Sequence, residues 1–471
     1  MFNTFIEKLN TIINVSNDIL WTYVLIAPLI LLGLYFTFKT RFVQFRYIKE
    51  MFRLLTDGAT SKKEKGSVSS FQAFCISTAS RVGTGNLAGI AIAISVGGPG
   101  AIFWMWLIAL IGSASSFVES TLAQIYKQPD GNGAYIGGPA YYMEKALNMK
   151  WMGIIFSILI TICFGLVFNS VQSNTISLAL NEAFGVNRIL VGAILTLLTL
   201  SIIFGGIHRI AKVSEIIVPI MASAYILVAL FVVITNISEL PAMFTLIFEN
   251  AFGVKQAVGG GIGGALLIGI KRGLFSNEAG MGSAPNAAAT ANVSHPVKQG
   301  LIQTLGVFTD TIVICSCTAF IILLSDVDLS GGLTGIQLTQ NALSSQIGSF
   351  GSVFIAICVL LFAFSSIVGN YYYGEANIEF LTKKKIYLTL YRICVAVMVL
   401  FGATVSMDIV WNLADVFMAL MAITNLIAIA LLGKIAFKAL DDYRAQKKAG
   451  IKDPVFKASS IPELKNVTEW N

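Results

Sequence analysis

The chain has 471 residues, 56% of them hydrophobic and only 12% charged, with a net charge of +7 and a mean hydropathy of +0.77. Soluble proteins carry about 25% charged residues, so this composition excludes a soluble protein and leaves an integral membrane protein set in a lipid bilayer. Only 10 prolines and no polar tract leave little room for a large soluble domain, and the basic sum, spread through loops, calls for no nucleic-acid partner.

A spanning helix takes about 20 mostly apolar residues. On that measure the sequence predicts an all-α integral membrane protein of about eleven transmembrane helices. Glu7 and Lys8 precede the first apolar run without a cleavage pattern, so that run, 19–38, reads as a retained span. Residues 39–69 form a basic loop, and spans follow at 70–95, 100–124, 151–172, 188–206 and 213–236. A second series follows at 257–290, 300–325, 350–372, 387–407 and 411–433, and 434–471 is a basic tail. The six cysteines, Cys75, Cys163, Cys315, Cys317, Cys358 and Cys394, all fall in apolar segments and read as small buried hydrophobes. Trp21, Trp104, Trp106, Trp151 and Trp411 fall near span ends, as an aromatic belt expects.

The spans at 70–95 and 257–290 are interrupted. Residues 81–89 read Arg-Val-Gly-Thr-Gly-Asn-Leu-Ala-Gly, and 272–280 read Arg-Gly-Leu-Phe-Ser-Asn-Glu-Ala-Gly. Arg81, Asn86, Ala88 and Gly89 recur at identical spacing as Arg272, Asn277, Ala279 and Gly280. Irregular backbone at membrane depth survives only where protein or a cavity covers it, and paired interruptions in two halves point to a transporter's central site. With the first span set aside, the halves 70–236 and 257–433 carry five spans each. An odd number per half gives them opposite topology: an inverted repeat with two discontinuous helices. Gly259 to Gly264 and Gly269 read as a small face for close packing.

Lysine and arginine fix the expected direction. Loop 39–69, Lys127, Lys145, Lys150, Arg209, Lys212, Lys298, Lys383 to Lys385 and the tail share one side, whereas the other receives only Lys8, Arg188 and Lys255. The expectation is a multi-pass cell-membrane protein with its N-terminus outside and its C-terminus cytoplasmic. Arg81, Glu119, Lys271, Arg272, Glu278 and Asp310 lie inside spans, where charge is costly. Pairing of Arg81 or Arg272 with these acids would neutralise them; the alternative is a part in ion coupling.

No Gly-x-x-x-x-Gly-Lys-Ser/Thr loop, His-Glu-x-x-His motif or Gly-x-Ser-x-Gly elbow occurs. An enzyme is not expected, nor any cofactor, and transport would run on an ion gradient. Gly83 and Gly85 free the backbone at the first break. Amides at the start of the second half-helix suit a carboxylate, and unwound carbonyls suit sodium or an ammonium. A site offering both suits an amino acid. Thr84 and Asn86 supply hard oxygen ligands, although Asn86 also fits a helix cap. Ser365, Ser366 and Asn370 read equally as sodium ligands or as helix–helix hydrogen bonds. Asn169, Gln172 and Asn174 line a cavity or cap a helix.

Gly97-Gly-Pro-Gly-Ala-Ile-Phe-Trp-Met-Trp-Leu-Ile-Ala-Leu-Ile-Gly112 resembles the signature of the sodium:alanine symporters, also called the alanine or glycine:cation symporter family. Ser276-Asn-Glu-Ala-Gly-Met-Gly-Ser-Ala-Pro-Asn-Ala-Ala-Ala289 and Arg81-Val-Gly-Thr-Gly-Asn86 are similar to two more of its stretches. The resemblance covers essentially all spans. It implies the leucine-transporter fold and a small neutral amino acid, alanine or glycine, moved with sodium as coupling ion. It further implies a substrate site at Gly83, Thr84, Gly85, Asn86 and Gln172, with Phe275, Ser276 and Asn277 from the second break. Carbonyls of Ala79 and Val82 with the hydroxyls of Ser365 and Ser366 would hold sodium. Glutamine is the alternative substrate, a proton at Glu119 or Asp310 the alternative coupling ion, and an ion channel the competing class.

Overall fold

The computed structural model describes residues 11–60, 67–131, 133–252, 261–329 and 331–470. Glu7, Lys8, Lys62, Lys63, Lys65, Lys255, Gly259 and Gly260, read above, lie outside the described residues. The chain is a multi-pass helical membrane protein. Among the described residues 8 helices are long and apolar enough to cross a membrane, with Gly85–Gly97 and Arg188–Ile203 as shorter apolar helices.

The first half-helix, Ser70–Arg81, starts on a capping box in which Ser69 and Gln72 satisfy each other's backbone amides. It ends at Val82, whose φ of −81° and ψ of 89° leave the helix. Helix resumes as the wide turns Gly85–Gly89 and then Ile90–Gly97. The second broken segment runs Gly261–Asn277 and resumes as Ala284–Thr290, with Pro285 in its first turn where the missing amide costs nothing. Between them Gly280 and Gly282 take φ of 86° and 82°, a region open to glycine and strained for other residues. Glu278, at φ 57°, takes that strain without being glycine. Wide π turns also interrupt three other spanning helices, at Ile19–Leu25, Thr161–Phe168 and Phe308–Cys315, the last two beside the same breaks.

Several short helices were not visible to a 20-residue measure. Ile48–Thr60, Pro139–Lys145 and Leu240–Phe252 are each too short to span. The stretch 326–349, expected as a loop, contains the helix Gly335–Ile347, whose Thr339 Oγ1 donates to Leu87 O in the first broken segment. Its polar sequence reads as loop because its hydrogen bonds are made to other helices. The last helix runs on to Lys448.

Other expectations are corrected by packing. Gly263 and Gly264 would meet nothing within 4 Å of an added Cβ; Gly269 is the close approach, where an added Cβ would stand 2.4 Å from Ala101 O. Cys394 is exposed rather than buried, on a helix facing outward. Trp21 and Trp411 are buried and so form no belt: Trp21 Nε1 donates to Asp415 O. Lys127, counted among loop lysines, is 2% exposed; its Nζ donates to Ala291 O and lies over the Tyr135 and Trp470 rings. Burial pulls its ammonium down to about 7, against the pull of Glu469 in the other direction. Trp470 lies there because the end of the chain folds back, its indole donating to Gln124 O.

The expected pairing of buried charges does not form. Among the described residues Arg81 makes no ion pair; it donates to Gln303 O at 3.2 Å. Arg272 pairs with Asp415, a residue the sequence reading passed over, and Lys271 lies 3.4 Å from the same carboxylate. Glu119, Glu278 and Asp310 instead accept hydrogen bonds from N–H and O–H groups, which satisfy the carboxylate oxygens without a second charge.

Candidate functional site

The two breaks meet in the interior, and side chains from neighbouring helices occupy the backbone groups that the breaks leave open. At the first, Asn86 Oδ1 accepts from Gly83 N at 2.9 Å, reaching back across the break; it is not the expected N-cap, because Thr84 precedes the helix Gly85–Gly89 and that position has no side-chain cap. Its other end faces away: Asn86 Nδ2 donates to Asp310 Oδ1 at 2.6 Å. Gln172 reaches the break from the helix Asn169–Phe184, and its Oε1 accepts from both Thr84 N at 2.9 Å and Thr84 Oγ1 at 2.6 Å. An oxygen acceptor thus sits on the amide expected to meet a carboxylate. Gly83 lies so close that an added Cβ would stand 2.2 Å from Ser366 Oγ and 2.8 Å from Gln172 Oε1.

At the second break Ser276 Oγ donates to Asp310 Oδ2 at 2.8 Å, and Thr311 Oγ1 donates to the same oxygen. Asp310 therefore joins Asn86 of one broken segment to Ser276 of the other. Asn277 Oδ1 accepts from Ala279 N, and its buried Nδ2 has no acceptor among the described residues. Glu119, from the helix Ala101–Ile125, accepts from the amides of Gly280 and Gly282 at 3.1 Å each and from Asn425 Nδ2 at 2.8 Å. This carboxylate fixes the start of the second half-helix, where exposed amides and the helix dipole favour negative charge. Glu278 accepts from Ser80 Oγ at 2.9 Å and from Ser283 Oγ at 2.6 Å, tying the second break to the first half-helix.

Phe275 closes the apolar side. Its ring stacks on Phe168 at 4.5 Å and lies 4.6 Å from Trp411. The Arg272 guanidinium stands 4.7 Å over Trp411 and is paired with Asp415, both buried. Removing one member of such a pair strands the other charge.

The four expected sodium ligands are only partly gathered. Ser366 Oγ lies 2.8 Å from Ala79 O, 3.1 Å from Phe362 O and 3.4 Å from Val82 O. Its single hydrogen cannot serve them all, so the carbonyls keep lone pairs free for a hard cation. Ser365 Oγ instead donates to Phe362 O of its own helix. Asn370 Oδ1 takes Ser80 Oγ at 2.6 Å. Asn169 and Asn174 stay away from the breaks: Asn169 Nδ2 donates to Gly165 O, and Asn174 Nδ2 to Gly402 O and Val405 O.

Sequence reasoning missed Phe168, Trp411 and Asp415 as part of this constellation. Asp310 was visible as a charge inside a span, which was its signal. Asp415, inside the span 411–433, carried the same signal and was passed over.

The described assembly has known counterparts. The sodium:alanine symporter family matches residues 6–458. The probable sodium/glutamine symporter GlnT of Bacillus subtilis is 60% identical over 464 residues, covering 98% of this chain and 96% of that protein. The sodium/alanine symporter AgcS of Methanococcus maripaludis is 37% identical, covering 92% of this chain and 98% of that protein. Among solved structures, that of MhsT in complex with L-phenylalanine has a TM-score of 0.59 at 16% identity, covering 80% of this chain and 96% of that one. At that identity the likeness is one of fold.

Proposed function

The chain belongs to the sodium:alanine symporter family, and from that membership we propose that it imports a neutral amino acid together with sodium by alternating access. Its relatives are named as transporters and symporters, not enzymes, and nothing in them supports a channel. The observation that carries the reading is the meeting of both breaks on Asp310. A channel needs a continuous lined pore; here the breaks close on each other.

In this reading the substrate carboxylate takes the place of Gln172 Oε1 at the Thr84 and Gly85 amides, where the half-helix dipole favours an anion. Asn277 Nδ2 is a free donor at the second break. Sodium sits between Ala79 O, Val82 O and Ser366 Oγ, with Ser365 turning inward to join. Phe168, Phe275 and Trp411 cover the substrate, and the Arg272–Asp415 pair latches that cover. The five-plus-five inverted repeat, with halves 70–236 and 257–433, supplies the two broken segments that rock about the site.

Two substrates are carried forward. Alanine or glycine is the expectation from the family, and glutamine is favoured by the 60% identity to the probable glutamine symporter. Uptake by purified protein in proteoliposomes, with a panel of amino acids and with or without inward sodium, separates them. Uptake is expected to need sodium and to be driven without ATP; full-rate uptake without sodium sinks the coupling.

Ser366→Ala should raise the sodium concentration for half-maximal uptake roughly tenfold, the size of one lost ligand hydrogen bond to a charged group, with the helix intact because alanine favours it. Unchanged sodium dependence in both Ser366→Ala and Ser365→Ala would return these serines to packing.

The orientation is proposed as N-terminus outside and C-terminus cytoplasmic. In a background with Cys394 and the other cysteines replaced by alanine, Asp326→Cys should react with an impermeant reagent from outside and Lys49→Cys should not. The reverse pattern inverts the protein without touching its function.

A further inference from the structure

Away from the breaks, the turn after the helix Ile26–Lys39 meets the far end of the last helix. Between them lies a cleft of about 230 Å³ lined by Arg46, Tyr47, Arg444, Lys447 and Lys448. Its lining has cationic groups and no carboxylate. The compensating acids stand outside the lining: Asp441 lies 3.3 Å from Arg444, and Glu50 lies 3.0 Å from Lys447 while also holding Arg53 at 2.8 Å. Among the described residues Arg46 and Lys448 make no ion pair, and both are exposed. Like charges gathered in one cleft repel unless an anion sits among them, and guanidinium forks fit phosphate oxygens.

The neighbouring surface is greasy. Phe38, Phe42 and Phe45 are 63%, 44% and 46% exposed, directly before Arg46 in the chain. Arg41 and Phe42 take φ of 55° and 60°, a conformation bulky side chains rarely adopt. The turn is held by Phe42 N donating to Thr37 O, and by Gln44 Nε2 donating to Thr37 Oγ1 and Leu110 O. It sets exposed aromatic rings beside a cationic cleft, the order in which a lipid presents acyl chain and headgroup.

We propose that this cleft binds the phosphodiester headgroup of an anionic phospholipid, whose acyl chains lie along Phe42 and Phe45. The site is independent of the transported substrate. It places an anionic lipid against the last helix, the element that carries Trp411 and Asp415 at its other end.

The test uses the full chain in nanodiscs of phosphatidylcholine, with phosphatidylglycerol or cardiolipin added. Thermal unfolding and lipid retention in native mass spectrometry are read together. Anionic lipid is expected to raise the melting temperature and to remain bound. The double substitution Arg46→Gln with Lys448→Gln should weaken retention at least tenfold and leave uptake from phosphatidylcholine vesicles unchanged. Arg46→Lys with Lys448→Arg keeps the charges and should keep the lipid, which guards against misfolding of the neutral variant. Equal retention by the neutral and charge-keeping variants overturns the proposal. A matching rise in melting temperature with millimolar inorganic phosphate in pure phosphatidylcholine overturns it too, in favour of a free-anion site.

Discussion

Gly85→Leu is expected to abolish uptake while the protein stays inserted and monodisperse. A Cβ on Gly85 would stand 2.9 Å from Phe275 Cδ1 and 3.4 Å from Ser276 Cα, and a leucine adds further carbons in the same direction. Phe275 cannot swing aside, because Phe168 and Trp411 flank its ring. Overpacking of this kind costs about 1–3 kcal/mol in a closed core, which a protein of this size tolerates. The proposed substrate would need the same space, so transport is lost before the fold is. Asn86→Ala acts differently: it removes the acceptor of Gly83 N and the donor to Asp310. It should weaken sodium and substrate binding together, by roughly thirtyfold or more if each of the two lost buried hydrogen bonds is worth at least about 1 kcal/mol. The measurements are uptake kinetics and size-exclusion chromatography on the same preparations. Normal rate and affinity for Gly85→Leu would place the transported substrate elsewhere and leave the breaks as architecture alone.

The breaks were legible because lipid makes their sequence conspicuous. Glycine and asparagine in an apolar run have few reasons to be there, and the recurrence of Arg81, Asn86, Ala88 and Gly89 at a second position strengthened the signal. What met at the breaks was not legible. Asp310 bonds Ser276, 34 positions away, and Asn86, 224 positions away, and no periodicity within one helix encodes which neighbour it faces. The wrong pairing of Arg81 has the same origin: charge counting balanced acids against bases, whereas the fold satisfied the acids with amides and hydroxyls, as Glu119 shows at Gly280 and Gly282. Trp411 was misread for a different reason. Hydropathy marks the end of a span but not its depth, and this helix begins beside Phe275 rather than at the membrane surface. The helix Gly335–Ile347 escaped because its glutamines and serines suit a loop; burial of Gln340, donating to Ala179 O, is a property of the assembled protein.

Asp310→Asn is expected to keep the fold and lose sodium-driven uptake. The substitution separates charge from shape. Asn86 Nδ2 can still be accepted by the amide oxygen of the new side chain. Its nitrogen can donate to the hydroxyls of Ser276 and Thr311, which turn from donors into acceptors. Every hydrogen bond at the meeting point of the breaks thus survives, and only the negative charge goes. A carboxylate about 4 Å from a cation is worth about 4 kcal/mol at an effective dielectric constant of 20, so a cation bound beside Asp310 would lose at least a hundredfold in affinity. If sodium binds only near Ser366, the charge acts from farther away and the loss shrinks to a few-fold. Sodium titrations of uptake for Asp310→Asn and Ser366→Ala distinguish these cases, since two independent ion sites give losses that multiply in the double variant. If instead a proton on Asp310 drives transport, wild-type uptake follows the pH gradient rather than sodium, and the asparagine variant loses that dependence. Wild-type kinetics in Asp310→Asn would reduce the carboxylate to a tie between the two broken helices.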